Sequence, residues 1–422
     1  CQIEPKNAPE VLRRIQAVGL HTRGAGADNI RNLTGNPTAG VDPAELIDCT
    51  PFLNDLAQII ICQREFYDLP RKFNIAFDGG GLVGSVEDTN DIGIKAVRFG
   101  EEVMFRICLG GATGHQAFAS DLGVLVAPQD IVAVTVAILR VFIANGSRTN
   151  RKKCRLKHLL ETWSLERYLE ATEKVLGRQI LRVPLASTPM SWPAADLPHS
   201  HIGAYPQKQP GLHYLGVVVP VGQISPKQLL RLADLSEHYG TGDIRLTVWQ
   251  NLILTNIPTA FLETVKKSIE KMGLRWQQSN VSSGIIACTG SRYCKFASTD
   301  TKSHALALMK HLEKKLQIDQ PVNIHVTGCP NSCAQHYMGD IGLLGTKTHD
   351  GREAYHVFVG GGFGSNQACG RQVFQAMAFE EVRTMVEVML RAWLQHREGA
   401  ESFQSFTTRH DLNALQVLFS GE

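Results

Sequence analysis

Asn256-Ile257-Pro258, then the amphipathic run Leu262-Glu-Thr-Val-Lys-Lys-Ser-Ile269, then Gly273-Leu274, has a counterpart at the start of the chain: Asn7-Ala8-Pro9, an amphipathic run, and Gly19-Leu20. The offset is about 249 residues, sliding to 254 or 255 where Thr34-Gly35 meets Thr289-Gly290. A repeat of this size reveals architecture before any single motif does. Ahead of the second copy stands a readable unit. An apolar strand runs from Leu212 to Val219, a helix follows with Ser225 as N-cap, Pro226 at its first position and Gly240 as its stop, and two strands fall near 243–248 and 251–255. Subtracting the offset places the first copy's version of residues 211–250 before Cys1, so the first repeat is expected to lack its N-terminal strands.

The chain has 422 residues, 43% of them hydrophobic and 20% charged, enough for a large core and more than one domain. Its 43 basic residues against 40 acids leave a net charge of +3, so nothing in bulk points to nucleic acid or a membrane. The longest apolar stretch, Ile131 to Ala144, is broken by Arg140 and is too short to cross a bilayer. Ten cysteines in a chain this long do not read as a disulfide scaffold. The expectation is a soluble cytoplasmic protein, a monomer.

Six prolines between Pro184 and Pro210 interrupt any regular period. The domain reading is therefore 1–183 for the rest of the first repeat, 184–210 for a linker, 211–274 for a half-domain of the second repeat and 275–422 for a last domain with C-terminal helices. Strand-like runs, as at Val322–Val326 and Tyr355–Val359, alternate with helical ones, as at Asp130–Ala144 and Gln372–His396. The class is α+β.

Four cysteines fall in two tight groups, Cys288-Thr-Gly-Ser-Arg-Tyr-Cys294 and Thr327-Gly328-Cys329-Pro330-Asn331-Ser332-Cys333. Four thiolates suit a [4Fe-4S] cluster, with Gly and Pro letting the backbone turn close to it. The alternatives are a zinc site, which usually takes closer cysteine pairs, and four unrelated buried thiols.

At these residues the chain resembles the siroheme-containing nitrite and sulfite reductases, whose pattern is Cys, five residues, Cys, then a distant Gly-Cys-Pro-Asn-x-Cys. The likeness extends through Asn29-Ile-Arg31-Asn32, Thr34-Gly35-Asn36-Pro37, Leu69-Pro-Arg71-Lys72-Phe73-Asn74, Arg148–Arg155, Pro206-Gln207-Lys-Gln209, Arg245–Asn251 and Glu401–Phe406. It implies two pseudo-symmetric repeats with ferredoxin-like α/β half-domains. It also implies a [4Fe-4S] cluster on Cys288, Cys294, Cys329 and Cys333, the last of them bridging to the iron of siroheme.

Siroheme carries eight carboxylates, so its pocket must supply cations and N–H groups. Arg148 to Lys157 holds six basic residues and no acid, which by composition alone reads as a solvated face. The resemblance assigns Arg148, Asn150, Arg151, Lys153 and Arg155 to the cofactor instead, together with Arg31, Asn32, Thr34, Asn36 and Arg71. Gln207, Asn251, Thr289 and Asn331 are carried over on the same ground. Arg31 and Lys72 match the family's substrate-binding arginine and lysine. Two residues past that lysine, sulfite reductases carry a second lysine and nitrite reductases an asparagine; here the residue is Asn74. A further family arginine would fall just before Cys1, opposite Trp249 of Thr247-Val-Trp-Gln250.

Gly79-Gly-Gly-Leu-Val-Gly84 fits a dinucleotide fingerprint in form, but the adjoining Ser85 to Asp91 makes a poor helix; Gly360–Gly364 is read the same way. Electrons are thus expected from a separate one-electron carrier such as ferredoxin. His336 is expected to be a packed or solvent-facing residue. The resemblance implies six-electron reduction of nitrite to ammonia. The rivals are a ferredoxin-dependent sulfite reductase, a non-catalytic iron-sulfur protein, and a relative acting on a corrinoid precursor.

Overall fold

The computed structural model describes residues 3–20, 22–185, 190–191 and 198–420. The first half is one mixed sheet: β1 (Ile30–Thr34), β2 (Phe73–Asp78), β3 (Ile92–Phe99), β4 (Glu102–Leu109), β5 (Ser120–Val126) and β6 (Leu181–Arg182) in that order, with the short β7 (Met190–Ser191) against β3. β1, β2 and β3 are parallel; β3, β4 and β5 are antiparallel. Its helices are α1 (Ala8–Ala17), α2 (Thr50–Cys62), α3 (Ile131–Asn145), α4 (Leu156–Leu160) and α5 (Leu165–Leu176). α3 is apolar almost all round because both sides are covered. Val134, Ile138, Leu139 and Phe142 are buried in the core of this half, each contributing roughly 1.5–3 kcal/mol, and the Tyr168 hydroxyl of α5 donates to its Ile138 carbonyl (2.8 Å). By length and composition Pro128–Asn145 passes as a membrane span, yet it serves as a core helix.

A four-stranded antiparallel sheet comes next, in the order β10 (Ile244–Leu246), β11 (Leu252–Pro258), β9 (Leu212–Val217), β8 (Gly203–Pro206), backed by α6 (Pro226–Tyr239) and α7 (Leu262–Lys271). Ser225 caps α6 with a reciprocal bond to Gln228, as its sequence predicts. β8 corrects the linker reading at its end: residues 203–206 are a strand paired with β9. The strand shows no alternation in burial, so nothing in the residues marks it among the prolines.

The last domain holds β12 (Ile285–Ala287), β13 (Ile324–Thr327), β14 (Ile341–Lys347), β15 (Glu353–Val359) and β16 (Arg371–Ala378), with α8 (Thr301–Lys315), α9 (Phe379–His396), α10 (Phe403–Arg409) and α11 (Leu412–Ser420). Gln372–His396, read as one helix, is a strand to Ala378 and then α9; the Glu381 carboxylate accepts from the Ala378 N–H and starts the helix there.

This sheet repeats the first strand for strand, two parallel pairings and then two antiparallel ones. The duplication seen in the sequence is therefore a duplicated fold. Near the cysteines, however, the sequence match is out of register. Pairing Thr34-Gly35 with Thr289-Gly290 implies an offset of 255 there, whereas the ladders put Leu33 and Ile285 opposite Ile75 and Ile324, an offset of 252 (285 − 33). Asn36 is thus the equivalent of Cys288. Equivalent turns of the halves, around Val86 and around Gln335, meet at the centre, where Val86, Trp249 and Met338 form a small shared core.

Candidate cofactor and anion site

The four cysteines reach one place because three local structures end there. Cys288 comes directly after β12, where its N–H donates to the Val326 carbonyl (3.0 Å). Cys294 closes a turn by donating to Gly290 (3.0 Å). Gly290 has φ +75°, and a side chain there would meet Thr301 at 2.7 Å, so only glycine allows the turn. Cys329 and Cys333 lie on the turn after β13, held by Ser332 N–H to Cys329 (3.1 Å), with Ser332 and Gln335 both at positive φ. The Gly328 N–H donates to the Cys288 sulfur (3.2 Å). Burial pushes the Cys333 thiol up, and the charges of Cys288, Cys329 and Cys294 push it further, while Lys72 acts against them. All four sulfurs therefore share one electrostatic neighbourhood. Among the described residues, no three Cys, His, Asp or Glu side chains stand close enough to grip a single ion. Four thiols that feel one another suit a cluster held by four thiolates.

Beside Cys333 opens a cleft of about 230 Å³ between the halves. Asn32 and Thr34 line it from the first, Trp249 from the half-domain, and His325, Cys333 and Gln335 from the second. At its first-half side stands a cationic group. Burial, then the charge of Arg155, holds Lys72 below the usual lysine range, and Cys333 pulls it back up, which places the ammonium within reach of that thiolate. Burial and the charges of Arg71, Arg155 and Arg151 likewise lower Arg31. Asp28 takes Arg71 (3.2 Å) and Arg151 (2.6 and 3.1 Å), and Asp91 takes Arg155 (3.0 and 2.6 Å). Arg31 donates to the Ala27 carbonyl (2.8 Å), and Lys72 forms no ion pair among the described residues. Like charges that lower one another are relieved by an anion, so this group, near the cleft though not among the residues that line it, suits a polycarboxylate cofactor and a small anionic substrate.

The expected residues divide in three. Arg31, Arg71, Lys72, Arg151 and Arg155 form the cationic group. Asn74 lies beside it on β2, its N–H donating to Asp91 (2.9 Å). Asn32 and Thr34 face the cleft, bonded to each other (2.6 Å). A second set stands at the edge: Arg148 bonds Asp68, Asn150 caps the turn at 151–153, Lys153 is exposed, and Thr289 and Asn331 flank the cysteines. The third set is hydrogen-bonded within the fold. The amides of Asn36 and Gln207 are taken up inside the fold, Asn36 by Asp78, Val83 and Gly79, and Gln207 by Gln209 and Asn256. Asn251 is buried, tied to Val219 and Trp249.

Sequence reasoning missed His325. Its Nδ1–H donates to the Gln335 carbonyl (3.0 Å), leaving the buried Nε2 without a protein partner in a residue that lines the cleft. The repeat was the available signal, since His325 stands next to Ile324 at the position equivalent to Ala76 beside Ile75. His336 is packed, as expected, against Tyr337 and Phe358. Gly79–Gly84 leads into a single turn at 87–89 and no α-helix, which removes the dinucleotide reading.

The chain matches the nitrite and sulphite reductase 4Fe-4S domain over residues 26–180 and 278–406, and the nitrite/sulfite reductase ferredoxin-like half domain over 205–272. A ferredoxin–nitrite reductase of Synechococcus elongatus is 38% identical over 410 residues, 94% of this chain and 78% of its own. A ferredoxin sulfite reductase of Mycolicibacterium paratuberculosis is 34% identical, covering 98% and 75%. The solved NirA protein of Mycobacterium tuberculosis superposes with a TM-score of 0.90 at 29% identity, over 97% of this chain and 76% of that one. With its duplicated sheet, half-domain and four-cysteine site, the chain belongs to the nitrite and sulphite reductase family.

Proposed function

We propose that this protein reduces nitrite to ammonia with six electrons, delivered one at a time by ferredoxin or a similar carrier in the cytoplasm. Bound at the cleft, siroheme coupled to a [4Fe-4S] cluster on Cys288, Cys294, Cys329 and Cys333 supplies the redox-active iron. The observation that carries the reading is the ammonium of Lys72, without an ion pair among the described residues and within electrostatic reach of Cys333.

Lys72 and Arg31 hold the anion and stabilise negative charge as oxygen leaves. With its pKa lowered by burial and by Arg155, Lys72 also gives up a proton more readily than a surface lysine. Arg71 and Arg151 share Asp28 and would pair with carboxylates of the bound cofactor. Arg155 keeps Asp91 in place, and Asp91 fixes the backbone of Asn74.

Lys72→Ala is expected to cut nitrite turnover about 10²-fold while the siroheme absorption is kept; full turnover by this variant overturns the assignment. The sulfite reductase relative, matching 98% of this chain, favours sulfite as a second reading. Asn74→Lys separates the two. It should raise sulfite activity relative to nitrite, because sulfite carries more negative charge, and an unchanged ratio means that Asn74 is not the selector.

A further inference from the structure

Lys302 is the second residue of α8, next to Thr301, whose hydroxyl donates to the Cys288 carbonyl (2.8 Å). Its side chain does not extend into solvent. The ammonium donates to the Val221 carbonyl and to Gln250 Oε1 (3.2 Å), and among the described residues no carboxylate pairs with it. Both acceptors come from the half-domain, and both residues hold left-handed backbone without being glycine: Val221 at φ +47° and Gln250 at φ +60°. Gln250 also clasps the edge of β12, donating to the Ala287 carbonyl (2.9 Å) and accepting from its N–H (3.3 Å). Ala287 precedes Cys288. Two strained turns thus converge on one ammonium beside the first thiolate, and the charge of Cys288 acts on Lys302 in return. Burial brings the lysine down only to about 8, so it keeps its proton at neutral pH. The equivalent helix of the first half, which serves no cysteines, opens with Thr50-Pro51 and has no cation there.

We propose that Lys302 is a positioning residue whose fixed charge raises the reduction potential of the cluster, an inference that rests on the cluster reading above. Accepting one electron from the donor adds a negative charge beside four thiolates. A cation held without a counter-ion in a poorly solvated site stabilises that reduced form more than the oxidised one.

The test uses the full chain loaded with both cofactors. Iron and sulfide in the wild type are measured first; their absence sinks the cluster reading itself. Cluster reduction is then followed by electron paramagnetic resonance against applied potential. Lys302→Gln, which keeps a donor and loses the charge, is expected to make reduction about tenfold less favourable, about 59 mV for one electron. Lys302→Arg should stay near wild type. A loaded Lys302→Gln protein with the wild-type potential overturns the proposal, as does an equal shift in both variants. Should Lys302→Gln fail to keep its cluster, Gln250→Glu sets a carboxylate against the ammonium and must lower the potential; no shift there overturns the proposal as well.

Discussion

After the second strand of each half the chain makes a turn of the same length, Asp78 to Val86 in the first and Thr327 to Gln335 in the second, and the two are closed by different chemistry. In both, the side chain ending the strand accepts the N–H seven residues on: Asp78 from Ser85 (3.3 Å), Thr327 from Ala334 (3.3 Å). Both end in a non-glycine residue at positive φ. Where Cys288 accepts from Gly328, Asn36 accepts from Gly79 (2.7 Å); where Cys294 donates to Gly290 at 3.0 Å, Asp42 donates to Thr38 at 3.0 Å. The first-half equivalents of the cysteines are thus Asn36, Asp42, Gly80 and Gly84. The glycine string that imitates a nucleotide fingerprint is the counterpart of the cluster loop. Its Gly81 packs against the Asp42 carboxylate, which a side chain would meet at 2.6 Å. One half fastens the turn with amide and carboxylate hydrogen bonds; the other leaves that place to thiolates. A duplicated fold can therefore specialise one copy for a cofactor while the other keeps its shape.

Writing the first half's residue into the second, Cys329→Gly, gives the largest expected effect: loss of cluster iron and of turnover, read by metal analysis and assay. Next is Arg155→Ala. It leaves the buried carboxylate of Asp91 unpaired and should cost about 3–5 kcal/mol in thermal or denaturant unfolding; Asp91→Asn in the same chain should recover much of it. Asp42→Ala removes a buried carboxylate that accepts from Leu82 (2.7 Å), and about 2 kcal/mol is expected. A loss as small as that of a surface substitution would mean that hydrogen bonds do not do in the first half what thiolates do in the second.

The smallest effect concerns the pair Asp91 and Asp340, which sit at equivalent positions and each accept the N–H of an equivalent asparagine, Asn74 or Asn323. Only Asp91 has an arginine. Burial pushes Asp340 up to about 7, against hydrogen bonds from the Asn323 and Gln404 backbones. A carboxyl raised in the folded state keeps a proton that the unfolded chain has released, so its contribution falls as pH rises from about 4 to 7. Asp340→Asn should flatten the loss of thermal stability between about pH 4 and 7, with a gain on the order of 1 kcal/mol at the upper end.

Much of this was legible in the residues. The Cys-x5-Cys and Gly-Cys-Pro-Asn-x-Cys strings identify the cluster loops because spacing along a short turn fixes where sulfurs fall. Ser225, Pro226 and Gly240 bound α6 because capping is a local property. β8 was lost among prolines, and β16 merged with α9, since pairing with a neighbour strand leaves little trace in a short window. The site divides along the same line. The thiolates were named by their grouping in the sequence, and the cations Arg31, Lys72 and Arg155 by the resemblance to the reductase family, since by type and composition alone they read as surface residues. Only the tertiary structure brought Lys72 beside Cys333, closed Asn36 and Gln207 into the fold, put Asn36 in register with Cys288, and set Lys302 against two strained turns. Each of those depends on contacts between segments far apart in the chain, which spacing cannot encode.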